Sequence, residues 1–228
     1  MKNRILPFLL LFALTISAAQ SQKNVSAGEA LKNVKTTFNK VKDYTADLSV
    51  WFNVPGMKLP TMNAKVYFKQ PDKIHLESEG FAMLPKEIMT LNPNAFDETM
   101  WDLVIQGTEV VQGVQCIKLR MLAKSDTMRI QRATLFIDPA KWILRKLVSD
   151  PMQGAPAEAV FTYQTIDGKF DMPSKVHILM KGPMMRRGKK DFKEKEQDNT
   201  QTSEVVVSYA NYRVNKGISD SVFKQKQK

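Results

Sequence analysis

The chain has 228 residues, 43% hydrophobic and 25% charged, with 34 Lys and Arg against 23 Asp and Glu. That composition excludes a disordered chain and suits one globular domain. The formal charge of +11 favours anionic partners, and the single cysteine excludes an internal disulfide framework.

Residues 1–19 read as a secretory signal peptide. Lys2 and Arg4 form a basic start, residues 5–16 an apolar run, and Ser17, Ala18 and Ala19 a small-residue cleavage site before Gln20. The apolar run is too short for a good membrane span. The expected mature protein is therefore exported and soluble, in the periplasm, cleaved near Ala19, with a formal charge of +9 once Lys2 and Arg4 are removed. No cysteine stands near the cleavage site to carry a lipid anchor. Export makes nucleic acid the least fitting anionic partner, and none is expected. Cys116 reads as a small buried hydrophobe, with a reactive thiol as the alternative.

Ser26 and Glu29 form a capping box, and Leu31, Val34, Phe38 and Val41 then fall on one helical stripe. This predicts an amphipathic helix of about four turns ending near Lys42 and Asp43. From Tyr44 to Phe52 the period changes to two, with Tyr44, Ala46, Leu48, Val50 and Phe52 on one face. A hairpin follows. Val66 and Phe68 alternate with lysines and Tyr67, Gln70-Pro71-Asp72-Lys73 makes the turn, and Ile74 and Leu76 alternate on the way back. Strands succeed one another without helices between them, which predicts an antiparallel meander.

Phe81 and Met83 lie in an apolar loop. Asn92-Pro93 supplies a cap, and Phe96, Met100, Leu103 and Val104 make a second helical stripe over residues 94–105, with Trp101 on its flank. Val104 and Ile105 also read as the start of a strand. Further strand signals surround turns at Gly113, Asp138-Pro139 and Asp167-Gly168, and one closes the chain around residues 203–214. The count is nine or ten strands and two helices. Residues 182–201 have no apolar period and read as a basic, polar loop; residues 224–228 should fray. Arg186, Arg187, Lys189 and Lys190 in that loop are candidate membrane-surface contacts, with a solvated loop as the alternative reading.

Catalytic and metal motifs are missing. His75 and His177 read as exposed strand histidines, without ligand spacing around them. Carboxylates such as Asp47, Asp72, Glu77, Glu79 and Asp102 form no pair that the sequence establishes, so no enzyme, catalytic residue, metal or cofactor is expected. A secreted enzyme would need convergent carboxylates, around Asp102 or Asp126. The chain is instead rich in adaptable apolar residues: 13 Met, 12 Phe and 3 Trp, Trp142 among them. They build either an ordinary core or one apolar face of a curved sheet that keeps a cavity for acyl chains.

Taken in order, these pieces resemble the periplasmic outer-membrane lipoprotein carrier superfamily, the LolA/LolB-like fold. The resemblance rests on the early helix ending in Val41-Lys-Asp-Tyr44 and on Val66-Tyr-Phe-Lys69-Gln-Pro71-Asp-Lys-Ile74. It continues through residues 113–119, 135–139 with Trp142, and 212–218. It covers residues 27–223 and places a single domain over 20–223. It implies a mostly β protein with α: an incomplete, strongly curved antiparallel β-barrel covered by an N-terminal helix and a lid helix around a hydrophobic cavity. The implied function is that of a soluble periplasmic carrier, taking acyl chains of lipoproteins or other lipids towards the outer membrane. An inner-membrane donor and an outer-membrane acceptor are the implied partners, and the carrier is expected to be a monomer. An envelope-sensing or protein-binding module on the same fold is the alternative. The expected cavity residues are Phe38, Leu48, Val50, Phe52, Val66, Phe68, Ile74, Leu76, Phe81, Met83, Phe96, Met100, Trp101 and Trp142. Gln70 is the expected lid contact, standing where the family's soluble carriers commonly have Arg.

Overall fold

A computed structural model describes residues 25–78, 92–96, 98–128, 130–151, 156–181 and 202–224. The expected signal peptide, the loop with Phe81 and Met83, and the basic stretch with Arg186, Arg187, Lys189 and Lys190 lie outside the described residues. One α-helix, α1 (Ala27–Phe38), precedes ten strands: β1 (Asp43–Asn53), β2 (Met62–Lys69), β3 (Lys73–Glu77), β4 (Trp101–Val111) and β5 (Val114–Ala123). They continue as β6 (Ile130–Asp138), β7 (Ile143–Pro151), β8 (Ala157–Ile166), β9 (Phe170–Lys181) and β10 (Thr202–Val214).

The ten strands form one antiparallel sheet in the order β3-β2-β1-β10-β9-β8-β7-β6-β5-β4. Every neighbour but one follows in sequence; the exception is β1 beside β10, which joins the first hairpin to the end of the long meander. The sheet does not close, so β3 and β4 remain its edges. Register shifts at Thr45/Asp47, Ile105/Thr108, Phe136/Ile137 and Thr162/Tyr163 put one extra residue into a strand. Each such bulge bends its strand and increases the local twist, which curves the sheet into an incomplete barrel.

The alternation read from the sequence decides which face turns inward. In β1, Tyr44, Ala46, Leu48, Val50 and Phe52 are buried while Trp51 and Asn53 are exposed. Val66 and Phe68 of β2, Leu119 and Met121 of β5, Leu135 and Ile137 of β6, and Val205 and Val207 of β10 complete the lining. Turns connect the strands tightly where the backbone must go left-handed: Gln112 and Gly113 carry φ of 49° and 78°, Asp167 and Gly168 51° and 64°. Two successive positive φ values make a type I′ turn, whose twist matches that of a hairpin.

The helix begins where the capping box placed it. Ser26 is extended, and its hydroxyl accepts from the Glu29 N–H at 3.1 Å. Ala30, Leu31 and Val34 are buried on one stripe, and α1 packs against β4 and β7. It stops at Phe38, capped by Asn39, about one turn short of the expected end near Lys42; Val41, in the chain that leaves the helix, is still buried in the core.

The second predicted helix is not there. Over the predicted span of 94–105, short 3₁₀ turns at Pro93–Ala95 and Glu98–Met100 are followed by β4, which begins at Trp101. The helical stripe of Phe96, Met100, Leu103 and Val104 coexists with a period-two set, Trp101, Leu103 and Ile105, and the second pattern wins. It is supported by antiparallel pairing along the length of β5, from Trp101 opposite Ala123 to Val111 opposite Val114. No lid helix therefore covers the sheet among the described residues. Trp142 sits in the β6–β7 turn with φ 54°.

Candidate functional site

A cavity of about 180 Å³ opens between the C-terminal half of α1 and the inner face of the sheet. Val34, Thr37 and Phe38 form its roof, continued by Lys40, Val41 and Pro93. The β6–β7 turn contributes Lys141 and Trp142, followed by Ile143 and Leu144. Phe161, Tyr163, Phe170, Met172 and Val176 form the wall from β8 and β9, with Tyr44 and Tyr209 at the floor.

The floor is aromatic. Tyr44 stacks on Phe68 with centroids 5.2 Å apart, Phe38 meets the edge of Phe68 at 5.6 Å, and Tyr212 stacks on Tyr209 at 6.1 Å. Tyr163 donates to Leu144 O at 2.7 Å and Tyr212 to Pro173 O at 2.8 Å. Burial pushes the Tyr44, Tyr163, Tyr209 and Tyr212 phenols well above the ordinary tyrosine range. They stay neutral, so the floor carries hydroxyl dipoles but no charge.

The turn holding Trp142 is built around Asp138, whose side chain is 4% exposed. Its Oδ1 accepts from the N–H groups of Ala140 and Lys141 at 2.9 and 3.3 Å, and its Oδ2 takes both Nε and Nη2 of Arg145 at 3.2 and 2.8 Å. Arg145 also lies over the Tyr163 ring at 5.8 Å. A buried charge with four hydrogen bonds, two of them from one guanidinium, fixes the turn far more firmly than Asp-Pro propensity alone. Beyond it, Lys141 reaches Asp171 at 2.9 Å, and Thr165 donates to the same carboxylate oxygen at 2.8 Å. Burial alone would raise the Asp171 carboxyl; these hydrogen bonds outweigh it and hold the group below its usual value.

Gln70 fastens the β2–β3 turn to the cavity roof. Its N–H donates to Lys42 O at 2.8 Å, and its side-chain amide donates to Asn39 Oδ1 and Val41 O, both at 3.2 Å. Asn94 donates to Asn39 Oδ1 at 2.9 Å and to Gln70 Oε1 at 3.4 Å, while Asn92 donates to Pro71 O at 2.9 Å. Three amides thus join the α1 cap, the first hairpin and the segment before β4. On the far side of the hairpin, Lys69 and Lys73 pair with Asp220 at 2.8 and 3.2 Å.

Of the residues expected at the cavity, Phe38 and Trp142 border it. Leu48, Val50, Phe52, Val66 and Phe68 are buried in the continuous core beside it, with Ile74, Leu76 and Phe96 partly buried against that core. Trp101 is buried and meets Phe96 edge-on at 6.5 Å, whereas Met100 is 47% exposed. Gln70 contacts Asn94, within the segment expected to be a lid, although that segment is not an α-helix. The sequence reading missed the β8–β9 wall, the tyrosine floor and the three lysines at the rim. The period-two signal of Phe161 and Tyr163 was visible, but nothing local said that these strands would curve under α1.

The opposite face of the sheet carries a shallower depression of about 450 Å³, bordered by Asp47, Ser49, Asn63, Lys65, Ser208 and Ala210. Leu48, Ala64 and Tyr209 also contribute to its lining, and it is far more open than the cavity under α1. On this outer face His177 pairs with Glu204 across β9 and β10 at 2.6 Å, a carboxylate partner that the sequence reading did not find. Asp102 pairs with Lys124 at 3.8 Å. Among the described residues no group of His, Cys, Asp and Glu is arranged to hold a metal ion, and no helix is long and apolar enough to cross a membrane.

No family model and no curated protein matches the sequence. Solved structures do match in shape. A DUF1329 family protein from Desulfovibrio piger superposes with a TM-score of 0.58 at 13% identity, over 87% of this chain and 97% of the other. A putative outer membrane lipoprotein-sorting protein domain from Vibrio parahaemolyticus gives 0.59 at 10% identity, with the same coverage of 87% and 97%. A LolA superfamily protein from Nitrosomonas europaea gives 0.53 at 10% identity, over 88% and 98%. At such identities the likeness concerns the fold, and the fold is LolA-like: an open, curved antiparallel sheet around an apolar interior, with a helix across its mouth.

Proposed function

We propose that this protein is a soluble periplasmic carrier that takes up acyl chains of lipoproteins or other lipids between α1 and the sheet and shuttles them towards the outer membrane. The observation that carries the reading is the apolar cavity beneath the C-terminal half of α1, walled by Phe38, Trp142, Phe161, Phe170 and Met172. The likeness in fold to a lipoprotein-sorting domain supports it. Each methylene moved from water into such a site gains about 0.8 kcal/mol, so cargo is held by chain length. A neutral floor suits that task, because no buried charge would have to face hydrocarbon. In this reading the N-terminal signal directs export, Gln70 anchors the roof, and the basic stretch at Arg186, Arg187, Lys189 and Lys190 approaches anionic membrane surfaces.

A cavity of about 180 Å³ is below the roughly 300–1,000 Å³ usual for ligand sites. Cargo would therefore enter by displacing α1. The same small volume favours a second reading, a protein-binding or envelope-sensing module whose interior stays filled by its own side chains. Uptake of a fluorescent fatty acyl probe, followed with native mass spectrometry of protein purified from envelopes, separates the two. Saturable uptake with probe retained in the complex supports the carrier. Protein that is repeatedly free of lipid and takes up no probe refutes it.

A further inference from the structure

The rim of the cavity differs in character from its walls. Lys40, Lys141 and Lys169 all border it, against one carboxylate, Asp171. Asp171 is already engaged by Lys141 at 2.9 Å. Lys40 and Lys169 make no ion pair among the described residues, although other surface lysines of this protein find carboxylates, as Lys118 does with Glu109 at 3.0 Å and Lys216 with Asp167 at 3.5 Å. Lys40 follows the α1 cap and Lys169 lies in the β8–β9 turn, so two elements of different origin bring uncompensated positive charge to one opening. An uncharged, apolar interior with a cationic lip is matched by a molecule of opposite build: a hydrocarbon chain ending in a negative charge.

We propose that the cavity selects anionic amphiphiles, the acyl chain entering beneath Phe38 and Trp142 while a carboxylate or phosphate head stays at the rim with Lys40 and Lys169. This rests on the carrier reading above and adds the head-group class to it. A head placed there keeps most of its hydration and still gains the attraction of two unpaired ammonium groups, whose flexible stems can follow it. Lys141 contributes less, because Asp171 already neutralises it. The volume, about 180 Å³, fits a segment of one chain better than a bundle of several.

The test compares amphiphiles of one chain length: dodecanoate, dodecyl phosphate, neutral dodecanol and dodecyltrimethylammonium. Each is titrated below its micelle concentration and followed by Trp emission and calorimetry. The full chain and the double variant Lys40→Gln/Lys169→Gln are compared; both lysines are exposed, so the change leaves the core intact. The expected result is that dodecanoate and dodecyl phosphate bind more tightly than dodecanol, and the cation least. The double variant should lose about threefold to tenfold in affinity for the two anions, and high salt should do the same, while dodecanol is unaffected. Equal binding of anion and alcohol, unchanged in the double variant, overturns the head-group assignment and leaves the carrier reading standing. Binding of none of the four overturns the carrier reading, and this assignment with it. Acetate or inorganic phosphate that competes as well as the chain-bearing anions would identify a small-anion site and overturn the amphiphile assignment.

Discussion

Replacing Asp138 by Ala removes the acceptor around which the β6–β7 turn is organised. Four hydrogen bonds disappear at once: those from Ala140 N and Lys141 N, and the pair from Arg145. Asp138 is nearly fully covered, and the Arg145 side chain is only 17% exposed. Breaking a buried pair by removing one partner costs about 3–5 kcal/mol, because the remaining charge is left without compensation. Arg145 retains some access to water and its place over Tyr163, which puts the expected loss at the lower end, about 3 kcal/mol. For a chain of this size that lowers Tm by roughly 6–12 °C. Asp138→Asn should fall in between. Its carbonyl can still accept from the two backbone groups, but its amide would face the guanidinium as donor against donor. Urea unfolding monitored by Trp emission measures both, and the Asp138→Ala variant should also show altered Trp142 emission before unfolding. An Asp138→Ala protein within about 0.5 kcal/mol of the parent would refute the reasoning, since the turn would then hold without its acceptor.

Leu31 is fully buried between α1 and the sheet, so Leu31→Ala should cost about 3–5 kcal/mol in denaturant unfolding; a cost below 1 kcal/mol would mean that α1 is only loosely seated. Gln70→Ala should cost about 1 kcal/mol and raise amide exchange at residues 39–42, where its partners lie; unchanged exchange there would remove the roof contact from the account. The Asp171 carboxyl is held below its ordinary value in the folded protein, so the unfolded chain takes up its proton more readily. Its contribution is full above the unfolded pKa of about 3.9 and is lost as pH falls through the folded value. Asp171→Asn should therefore lower stability at neutral pH and flatten its rise with pH below about pH 4, so that parent and variant converge in acid, as read from urea midpoints. Trp142, not Trp101, should report acyl uptake, since it borders the cavity while Trp101 is buried beside Phe96; single Phe replacements identify which tryptophan responds.

The fold was largely legible because its signals are local and repeated. Period-two patterns put Leu48, Val50, Val66 and Phe68 on the buried face, and Ser26 marked the start of α1. The second helix failed for an instructive reason. Residues 96–105 satisfy both a helical stripe and a strand alternation, and the choice was made by β5, which lies beyond the ambiguous segment and pairs along it. The site was less legible than the fold. Phe38 and Trp142 could be nominated individually, but Tyr163, Phe170 and Lys169 join them only because bulges curve the sheet under the helix. Bulge positions leave almost no mark on the sequence beyond an occasional Gly, such as Gly107 with φ 99°. The buried Asp138–Arg145 pair spans seven residues and looked like an ordinary turn followed by a basic strand.

The carrier reading carries an energetic condition that the contacts of α1 make explicit. Lifting the helix from the sheet would expose Leu31, Val34 and Ala30, at roughly 4–6 kcal/mol for two large side chains and a methyl. Loosening the Gln70 and Asn94 contacts to Asn39 adds about 1–2 kcal/mol. Entry of an acyl chain offsets this at about 0.8 kcal/mol per methylene, so the balance is reached near seven to ten carbons. Shorter chains should leave the helix down, and longer ones should hold it open. A hydrophobic roof fastened by so few polar contacts is then a discriminator of chain length, set by the same Leu31 and Val34 stripe that makes α1 a helix.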